Sequence, residues 1–213
     1  MIYKYSEMNG IIGRKLGMTS VYDDKGNQVA CTIIDTTSNV VTQVKDEDTD
    51  GYTALQVGYG DKSMKRVSKG LEGHFAKSGA SPKRKIAEFR NCTLDKKAGD
   101  TINVEDVFEE GDTVNAIGIT KGKGFQGVVK RWNFKGVGDA THGQHNRLRA
   151  PGSVGAASTP SKVIKGMKMG GRTGGKRIKT KNLKVVRIFA EKNLLLVKGA
   201  VPGHKGSFVI IEK

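Results

Sequence analysis

A β-hairpin is predicted over Met18-Thr-Ser-Val-Tyr-Asp-Asp-Lys-Gly-Asn-Gln-Val-Ala-Cys-Thr-Ile-Ile-Asp35, and this prediction indicates the fold class of the chain. Residues 18–22 are apolar and β-prone, and residues 29–35 return as a second strand. Residues 23–27, which lie between them, supply turn chemistry. An antiparallel strand pair is therefore expected near the start of the chain.

Further short strands follow the hairpin along most of the chain. Turns separate them, including exposed acidic turns at 46–51 and 109–112. One short helix is predicted over Ser68–Ser78, with Ser68 as its N-cap and Gly79 as its stop. Many short strands with turns between them favour a mainly β fold built on a small barrel over alternating β and α units. The predicted strands are 40–44, 52–59, 85–89, 101–104, 113–120, 184–190, 193–197 and 208–211.

Positive charge is concentrated in one part of the sequence. Residues 113–190 contain 17 of the 37 Lys and Arg residues but one of the 21 acids, Asp139. The rest of the chain is balanced, so the formal net charge of +16 belongs to this segment. The segment is rich in glycine and poor in aliphatic runs, so it can bury little of itself. We predict a long basic extension between two barrel strands, ordered by a densely anionic partner such as a nucleic acid.

Composition excludes several classes of protein. No run of about 18 apolar residues exists that could span a membrane. The N-terminus lacks the apolar core of a signal peptide, so we expect a cytoplasmic protein whose residues 1–7 are an extension or precede a true start at Met8. Cys31 and Cys92 lie far apart and outside any Cys-x-x-Cys pair, which indicates reduced thiols in apolar surroundings.

Two motifs in the basic segment resemble enzyme signatures, and both are incomplete. Gly122-Lys-Gly-Phe-Gln-Gly127 has the spacing of a dinucleotide-binding turn, but neither a long helix nor a correctly placed acid follows it. Val128 occupies the place where a phosphate-binding loop needs lysine. His142 and His145 could share a metal ion, but no Cys, Asp or Glu pair completes the site. We therefore predict no catalytic residue, no metal site, no cofactor and no small-molecule substrate.

Small groups of cations spaced by glycine are expected where a chain follows a phosphate backbone. Lys and Arg neutralise phosphates, and glycine lets one backbone approach another closely. Trp132, the only tryptophan, either stacks on a base or packs at the root of the segment. RNA is favoured over DNA because no helix here is long enough to lie in a major groove. The predicted contacts are Lys121, Lys123, Lys130, Arg131, Trp132, His142, His145, Arg147, Arg149, Lys162, Lys165, Lys168, Arg172, Lys176, Arg177, Lys179 and Lys181, with close backbone approach at Gly122, Gly124, Gly127, Gly152 and Gly155.

Five separated blocks of the sequence carry a more specific signal. They are Gly10-Ile-Ile-Gly-Arg-Lys-Leu-Gly-Met-Thr19, the stretch Phe108 to Arg131 with Asn115 and Gly118-x-Thr-x-Gly-Lys-Gly-x-x-Gly127, Ala150-Pro-Gly-Ser-Val-Gly155 with Thr159-Pro160, Lys165-Gly-Met-Lys-Met-Gly170, and Asn193-Leu-Leu-Leu-Val-Lys-Gly-Ala-Val-Pro-Gly203. In this order, across nearly the whole chain, they resemble the bacterial type of the ribosomal protein L3 family. Within the first block, Arg14 and Lys15 become further candidates for rRNA contact.

The resemblance implies a particular domain organisation. The family has a six-stranded barrel like the second domain of elongation factor Tu, an inserted small α/β region and a long loop. Applied to this sequence, the barrel would take residues 1–45, 96–120 and 184–213. The insertion would take residues 46–95, and the loop would take residues 121–183, with its tip near 142–158.

The resemblance also implies a function. The family is a non-enzymatic constituent of the large ribosomal subunit that binds the 3′ domain of 23S rRNA, nucleates early assembly and sends its loop toward the peptidyl transferase centre. Ribosomal proteins L14 and L19 are the implied neighbours. The glutamine that some members methylate is Ala156 here, so that modification is not expected. The alternative is an RNA chaperone or a translation-factor-like RNA-binding module that is not stably part of the ribosome.

Overall fold

The protein consists of two compact units. The structure, a computed structural model, describes residues 9–23, 25–92, 96–138, 142–143 and 145–213. The first unit comprises Met1–Thr120 and Arg177–Lys213, and the second comprises Lys121–Lys176. The expectations for residues 1–8 and the acid Asp139 lie outside the described residues.

The described residues are mainly β. Their twelve strands are β1 (Gly10–Tyr22), β2 (Gln28–Asp35), β3 (Asn39–Lys45), β4 (Ala54–Asp61), β5 (Lys83–Arg90), β6 (Thr101–Ile102), β7 (Thr113–Ile119), β8 (Phe125–Gln126), β9 (Gly171–Arg172), β10 (Arg177–Phe189), β11 (Leu194–Lys198) and β12 (Phe208–Glu212). Their three α-helices are α1 (Glu47–Asp50), α2 (Lys69–Ser78) and α3 (Val128–Trp132). Among these residues, no helix is both long enough and apolar enough to cross a membrane.

Six antiparallel strands of the first unit close into a barrel, which confirms the predicted fold class. Their order around the barrel is β1, β12, β7, β10, β11, β2. The predicted hairpin is present, because β1 pairs with β2, and the predicted strands 184–190 and 193–197 pair with each other as β10 and β11. Ile11 and Ile12 are consecutive in β1 and both are fully buried. Since neighbouring side chains of a strand point to opposite faces, β1 is covered on both sides.

A second sheet in the same unit has the order β5, β4, β3, β6. The helix α2 contacts β3 and buries Phe75, which is 2% exposed. Its bounds confirm the predicted helix to within one residue, with Ser68 before it and Gly79 after it in the left-handed conformation. A left-handed C-terminal glycine is the usual end of a helix because glycine adopts this conformation without steric cost.

Two strands of this second sheet correct the prediction. Residues 40–44 and 101–104 were assigned to the barrel, but β3 pairs with β4 and with β6. The second of these strands also ends early, at Ile102, and Val104–Asp106 forms a 3₁₀ turn. A capping box explains the change, because the Asp106 carboxylate accepts a hydrogen bond from the Asn103 backbone N–H at 3.2 Å. The predicted acidic turn at 46–51 contains the one-turn helix α1.

The end of the basic extension also differs from the prediction. The loop was expected to continue to residue 183, but β10 begins at Arg177 and pairs with β7 from the Arg177–Ile119 register onward. Residues 177–182 are mostly exposed and include Arg177, Lys179 and Lys181, so their charge assigned them to the basic extension although they alternate as a strand does. Since Ile119 and Arg177 are register partners, the chain leaves the barrel and returns to it at adjacent positions.

Candidate nucleic-acid interface

Backbone hydrogen bonds join the two ends of the second unit. The strand β8 pairs with β9 through the registers Phe125–Arg172 and Gln126–Gly171. Next to this ladder, the Lys123 N–H donates to the Thr173 carbonyl at 2.8 Å, and the Thr173 N–H donates to the Gly124 carbonyl at 2.9 Å. The root of the basic segment is therefore an ordered two-stranded ribbon.

Trp132 packs at this root. Its indole N–H donates to the Met169 carbonyl at 2.8 Å, and the Arg131 guanidinium donates to the same oxygen at 2.9 Å. Arg131 also lies 5.1 Å from the centre of the Trp132 ring, and the Lys168 ammonium lies 5.9 Å from it. Of the two roles expected for Trp132, packing at the root is the one seen here, although 39% of the residue is exposed.

Two sets of glycines serve different purposes in the second unit. Gly174 and Gly136 have positive φ, and an added Cβ would overlap the carbonyl oxygens of Lys121 and Leu148 respectively. The sequence did not single out these two internal close approaches, because their partners are distant along the chain. The glycines that were predicted to approach a partner closely are Gly122, Gly124, Gly127, Gly152 and Gly155. At the first four, a Cβ atom added to the glycine would have no described atom within 4 Å, and at Gly155 it would lie 4.0 Å from the Lys162 carbonyl oxygen. Their open side is available to a partner.

Most cations of the second unit are exposed, and the described residues of this unit include no acid. The salt bridges between described residues all lie in the first unit. Asp139, the only acid of the second unit in the sequence, is outside the described residues. Neighbouring like charges repel one another unless counterions or an anionic ligand neutralise them. The predicted contacts of this unit that are exposed are Lys121, Lys123, Lys130, Trp132, His142, His145, Arg147, Arg149, Lys162, Lys165, Lys168, Arg172 and Lys176, and Arg131 is half-buried.

Some predicted contacts instead have partners inside the protein. The Lys15 ammonium donates to the carbonyls of Val201 at 2.7 Å and Gly203 at 3.4 Å. The Lys179 ammonium forms a 2.6 Å salt bridge with Glu212. Lys15 therefore supports the connection between β11 and β12, and Lys179 links β10 to β12. These bonds cross 186 residues and 33 residues of sequence, so no local pattern could have revealed them.

The barrel strand β10 also carries exposed cations. Arg177 and Lys181 were predicted contacts and both are exposed, whereas the exposed Lys184 and Arg187 were not predicted. The strand 177–189 contains no acid. The available signal for the two additional residues was their charge, since both lie within the predicted strand 184–190. On β1, the Arg14 guanidinium is exposed and lies 3.9 Å from the Asp35 carboxylate.

The described residues contain no cluster of side chains typical of a metal site. Among them, no group of three or more His, Cys, Asp and Glu side chains could hold a metal ion. An open surface pocket of about 440 Å³ is lined by Thr42, Gln43, Val44, Lys77, Ser78, Lys96, Lys97 and Ala98. Both hydroxyl groups in this lining donate hydrogen bonds inside the protein, Ser78 to the Phe75 carbonyl at 3.0 Å and Thr42 to the Gln56 side chain at 2.8 Å.

The fold and the charge distribution define a class: a β-barrel protein with an exposed cationic surface. Comparison with known proteins narrows this class. Residues 77–193 match the family described as Ribosomal protein L3. Large ribosomal subunit protein uL3 of Salinibacter ruber is 52% identical over 205 residues, which cover 96% of this chain and 99% of that relative. The protein of the same name from Chlorobium limicola is 49% identical over 206 residues, covering 96% and 98%. The chain belongs to the ribosomal protein L3 family, which confirms the resemblance found in the five sequence blocks.

Proposed function

We propose that this protein is a structural constituent of the large ribosomal subunit and binds 23S rRNA there. The observation that carries the proposal is the exposed cationic surface of Lys121–Lys176, in which no described residue is an acid. Two relatives at about half sequence identity are named as large-subunit proteins, which supports the same assignment.

The proposed mechanism of binding is electrostatic and requires no catalysis. The barrel is a rigid platform, and the ribbon of β8 and β9 holds the ends of the second unit together. As cations such as Arg147 and Arg149 neutralise phosphates, condensed counterions are released from the RNA, and this release provides much of the affinity. The open glycines, among them Gly124 and Gly152, allow the RNA backbone to approach the protein backbone.

The family resemblance supports the finer parts of the proposal. We place the binding site in the 3′ domain of 23S rRNA and the tip of the second unit, near residues 142–158, toward the peptidyl transferase centre. Binding early in assembly would nucleate the folding of this rRNA region, with ribosomal proteins L14 and L19 as neighbours in the cytoplasmic ribosome. Any effect on peptide bond formation would be indirect, through the position of the rRNA.

Sedimentation of the tagged protein from a cell lysate tests this proposal. We expect the protein to co-sediment with the large subunit and to remain there after a high-salt wash, because an integral component is held by many contacts at once. Release into the soluble fractions at low salt would contradict the proposal and support the alternative, an RNA chaperone or a translation-factor-like module. An unrelated basic RNA-binding protein carrying the same tag provides the control for adventitious adsorption.

A further inference from the structure

A second cluster of cations lies in the first unit, where the four-stranded sheet ends. We call it the basic edge and define it as Lys62, Lys65, Arg66, Lys69, Arg84 and Lys85. The backbone holds its parts together, because the Lys62 N–H donates to the Pro82 carbonyl at 2.8 Å and Asp61 is the register partner of Lys83. The segment after β4 and the start of β5 therefore lie side by side.

The carboxylate nearest to this cluster is already neutralised. Asp61 accepts hydrogen bonds from the Lys83 ammonium and the Ser81 hydroxyl, each at 2.8 Å. Lys83 is buried, and its hydrogen bond to Asp61 holds the pKa of that carboxyl below its ordinary value of 3.8. The charge of Asp61 is thus matched by a lysine outside the basic edge. Among described residues, no member of the basic edge forms a salt bridge.

Arg84 is positioned before any ligand binds. Its Nε–H donates to the Asp61 carbonyl at 2.9 Å, although the residue is exposed. A guanidinium fixed in this way loses less side-chain entropy when it contacts an anion, which favours binding. Lys65, Arg66, Lys69 and Lys85 are also exposed. Because Arg84 and Lys85 are consecutive in β5, their side chains point to opposite faces, so the edge offers cations on both faces of the sheet.

The composition of the edge indicates what it contacts. Residues 61–69 and 81–85 contain no aromatic residue, so this surface has nothing on which to stack an unpaired base. The helix α2 follows directly, but its Phe75 is buried and its His74 is hydrogen-bonded to Gln56 at 2.7 Å. The second unit differs, because it carries Phe125 and Trp132 in exposed positions. Cations without stacking partners suit the sugar–phosphate backbone of a duplex.

The opposite end of the same sheet has the opposite charge. The one-turn helix α1 precedes β4 and contains Glu47, Asp48 and Asp50, all exposed. The eight residues of β4 separate the two ends by about 25 Å at 3.3 Å per residue. A polyanion is therefore attracted to one end of the sheet and repelled from the other.

We propose that the basic edge is a second RNA-binding surface that contacts the phosphates of a duplex segment without reading its bases. The inference rests on the proposed function, since that function identifies the polyanion as RNA. It adds a contact made by the four-stranded sheet to the contacts of the barrel and the second unit.

The test compares salt dependence for a variant of the full-length protein and a matched control. The edge variant carries Lys65→Gln, Arg66→Gln, Lys69→Gln and Lys85→Gln, and it leaves Arg84 and its bond to Asp61 intact. The control carries Lys25→Gln, Lys77→Gln, Lys97→Gln and Lys192→Gln, which are also exposed. The probes are an RNA duplex of about 24 base pairs with arbitrary sequence and a transcript of the 3′ domain of 23S rRNA.

We expect the edge variant to flatten the plot of log Kobs against log salt concentration by about 2.8–3.6 units on both probes if each of the four cations neutralises one phosphate, at about 0.7–0.9 units per phosphate. The control should change the slope by less than about 1 unit. A charge-conserving variant, Lys65→Arg, Lys69→Arg and Lys85→Arg, should keep the wild-type slope, which separates loss of charge from loss of folding.

Other outcomes distinguish the inference from the proposed function. If the wild type does not bind the rRNA transcript, the proposed function fails. If the wild type binds and the edge variant matches the control, the basic edge is not an RNA contact and the proposed function stands. If the edge variant changes the salt slope on the transcript but not on the duplex, the basic edge does not bind a duplex of arbitrary sequence, and the inference is wrong. Unchanged slopes together with loss of a cross-link to a ribosomal protein would assign the edge to a protein partner instead.

Discussion

The side-chain amide of Asn39 pairs with the backbone of Ile12 in the way that a neighbouring strand would. The Asn39 Oδ1 accepts the Ile12 N–H at 3.2 Å, and the Asn39 Nδ2 donates to the Ile12 carbonyl at 2.8 Å. The same Nδ2 donates to the Thr36 carbonyl at 2.7 Å. Asn39 is 1% exposed and begins β3, so a single buried amide links the four-stranded sheet to the barrel strand β1.

Replacing Asn39 should therefore destabilise the first unit strongly. We expect Asn39→Ala to lower the free energy of unfolding by about 2–4 kcal/mol, because it leaves the Ile12 N–H and carbonyl buried without partners. The exposed Gln28→Ala in β2 is the control and should change stability by less than about 0.5 kcal/mol. Urea unfolding followed by far-UV circular dichroism measures both. Equal midpoints for the two variants would show that the amide bridge is dispensable.

The stability of the root of the second unit should depend on the glycine at position 174, Gly174. In the free protein we expect proteases to cut the second unit before the barrel. Gly174→Ala places a side chain at positive φ and against the Lys121 carbonyl, so opening of the root should become easier by about 2 kcal/mol and cleavage roughly 30-fold faster. Limited trypsin digestion with mass spectrometry measures this rate.

Gly122→Ala is the matched control for Gly174→Ala. No described atom lies within 4 Å of its added Cβ, so its cleavage rate should stay within about threefold of wild type. Similar cleavage rates for both variants would contradict the dependence of the second unit's stability on its root. A second unit that resists trypsin as well as the barrel does, without RNA, would contradict the expectation that RNA orders this unit.

Arg147 and Arg149 test the electrostatic part of the proposed function. Both are exposed, and changing both to Ala should flatten the salt dependence of rRNA binding by about 1.4–1.8 units if each contacts one phosphate. Filter binding over a range of potassium concentrations gives the slope. The exposed pair Lys25→Ala and Lys192→Ala removes the same charge and should leave the slope near the wild-type value. An unchanged slope for the arginine variant would mean that these side chains do not touch phosphate.

Lys15 should act on stability and not on RNA affinity. Lys15→Met removes the ammonium that donates to Val201 and Gly203, so the free energy of unfolding should fall by about 1–3 kcal/mol, while the salt slope of RNA binding stays the same. The neighbouring Arg14→Met should show the reverse, with stability within about 0.5 kcal/mol and a slope lower by about 0.7–0.9 units. A reduced slope for Lys15→Met would instead support the sequence-based assignment of Lys15 to rRNA contact.

The carboxylate of Asp112 should make the free energy of unfolding depend on pH in the acid range. Burial raises its pKa, but hydrogen bonds from the Glu109 N–H at 2.9 Å and the Lys213 ammonium at 2.6 Å lower it more, so the folded pKa lies below 3.8. The stabilisation is therefore fully present above pH 3.8 and is lost as the pH falls through the folded-state pKa.

Asp112→Asn keeps the acceptor for the Glu109 N–H and removes the charge. At pH 7 it should be less stable than wild type by about 1 kcal/mol, and the difference should vanish near pH 2. Urea unfolding at the two pH values measures this, with the exposed Asp48→Asn as control. A difference that persists at low pH would assign the effect to packing and not to the carboxylate charge.

Local patterns predicted the elements that are themselves local. The hairpin of β1 and β2, the helix α2 and the hairpin of β10 and β11 all lie where turn residues, caps and alternation placed them. The start of β10 was missed because its exposed cations made it read as part of the basic extension. For the candidate interface, charge density identified the segment, but it did not distinguish a cation with an internal partner, such as Lys179, from one without a described salt bridge, such as Lys181.

Three properties of this protein could be predicted from its sequence: the β-rich barrel class, the concentration of positive charge between residues 113 and 190, and membership of the ribosomal protein L3 family. These properties depend on composition, short motifs and their order along the chain. Three further properties became visible in the folded structure alone: β3 and β6 belong to a second sheet, Asn39 joins this sheet to the barrel, and Lys15 supports the turn after β11. Each of these depends on hydrogen bonds between residues far apart in sequence, and such pairings form only when the whole chain has packed.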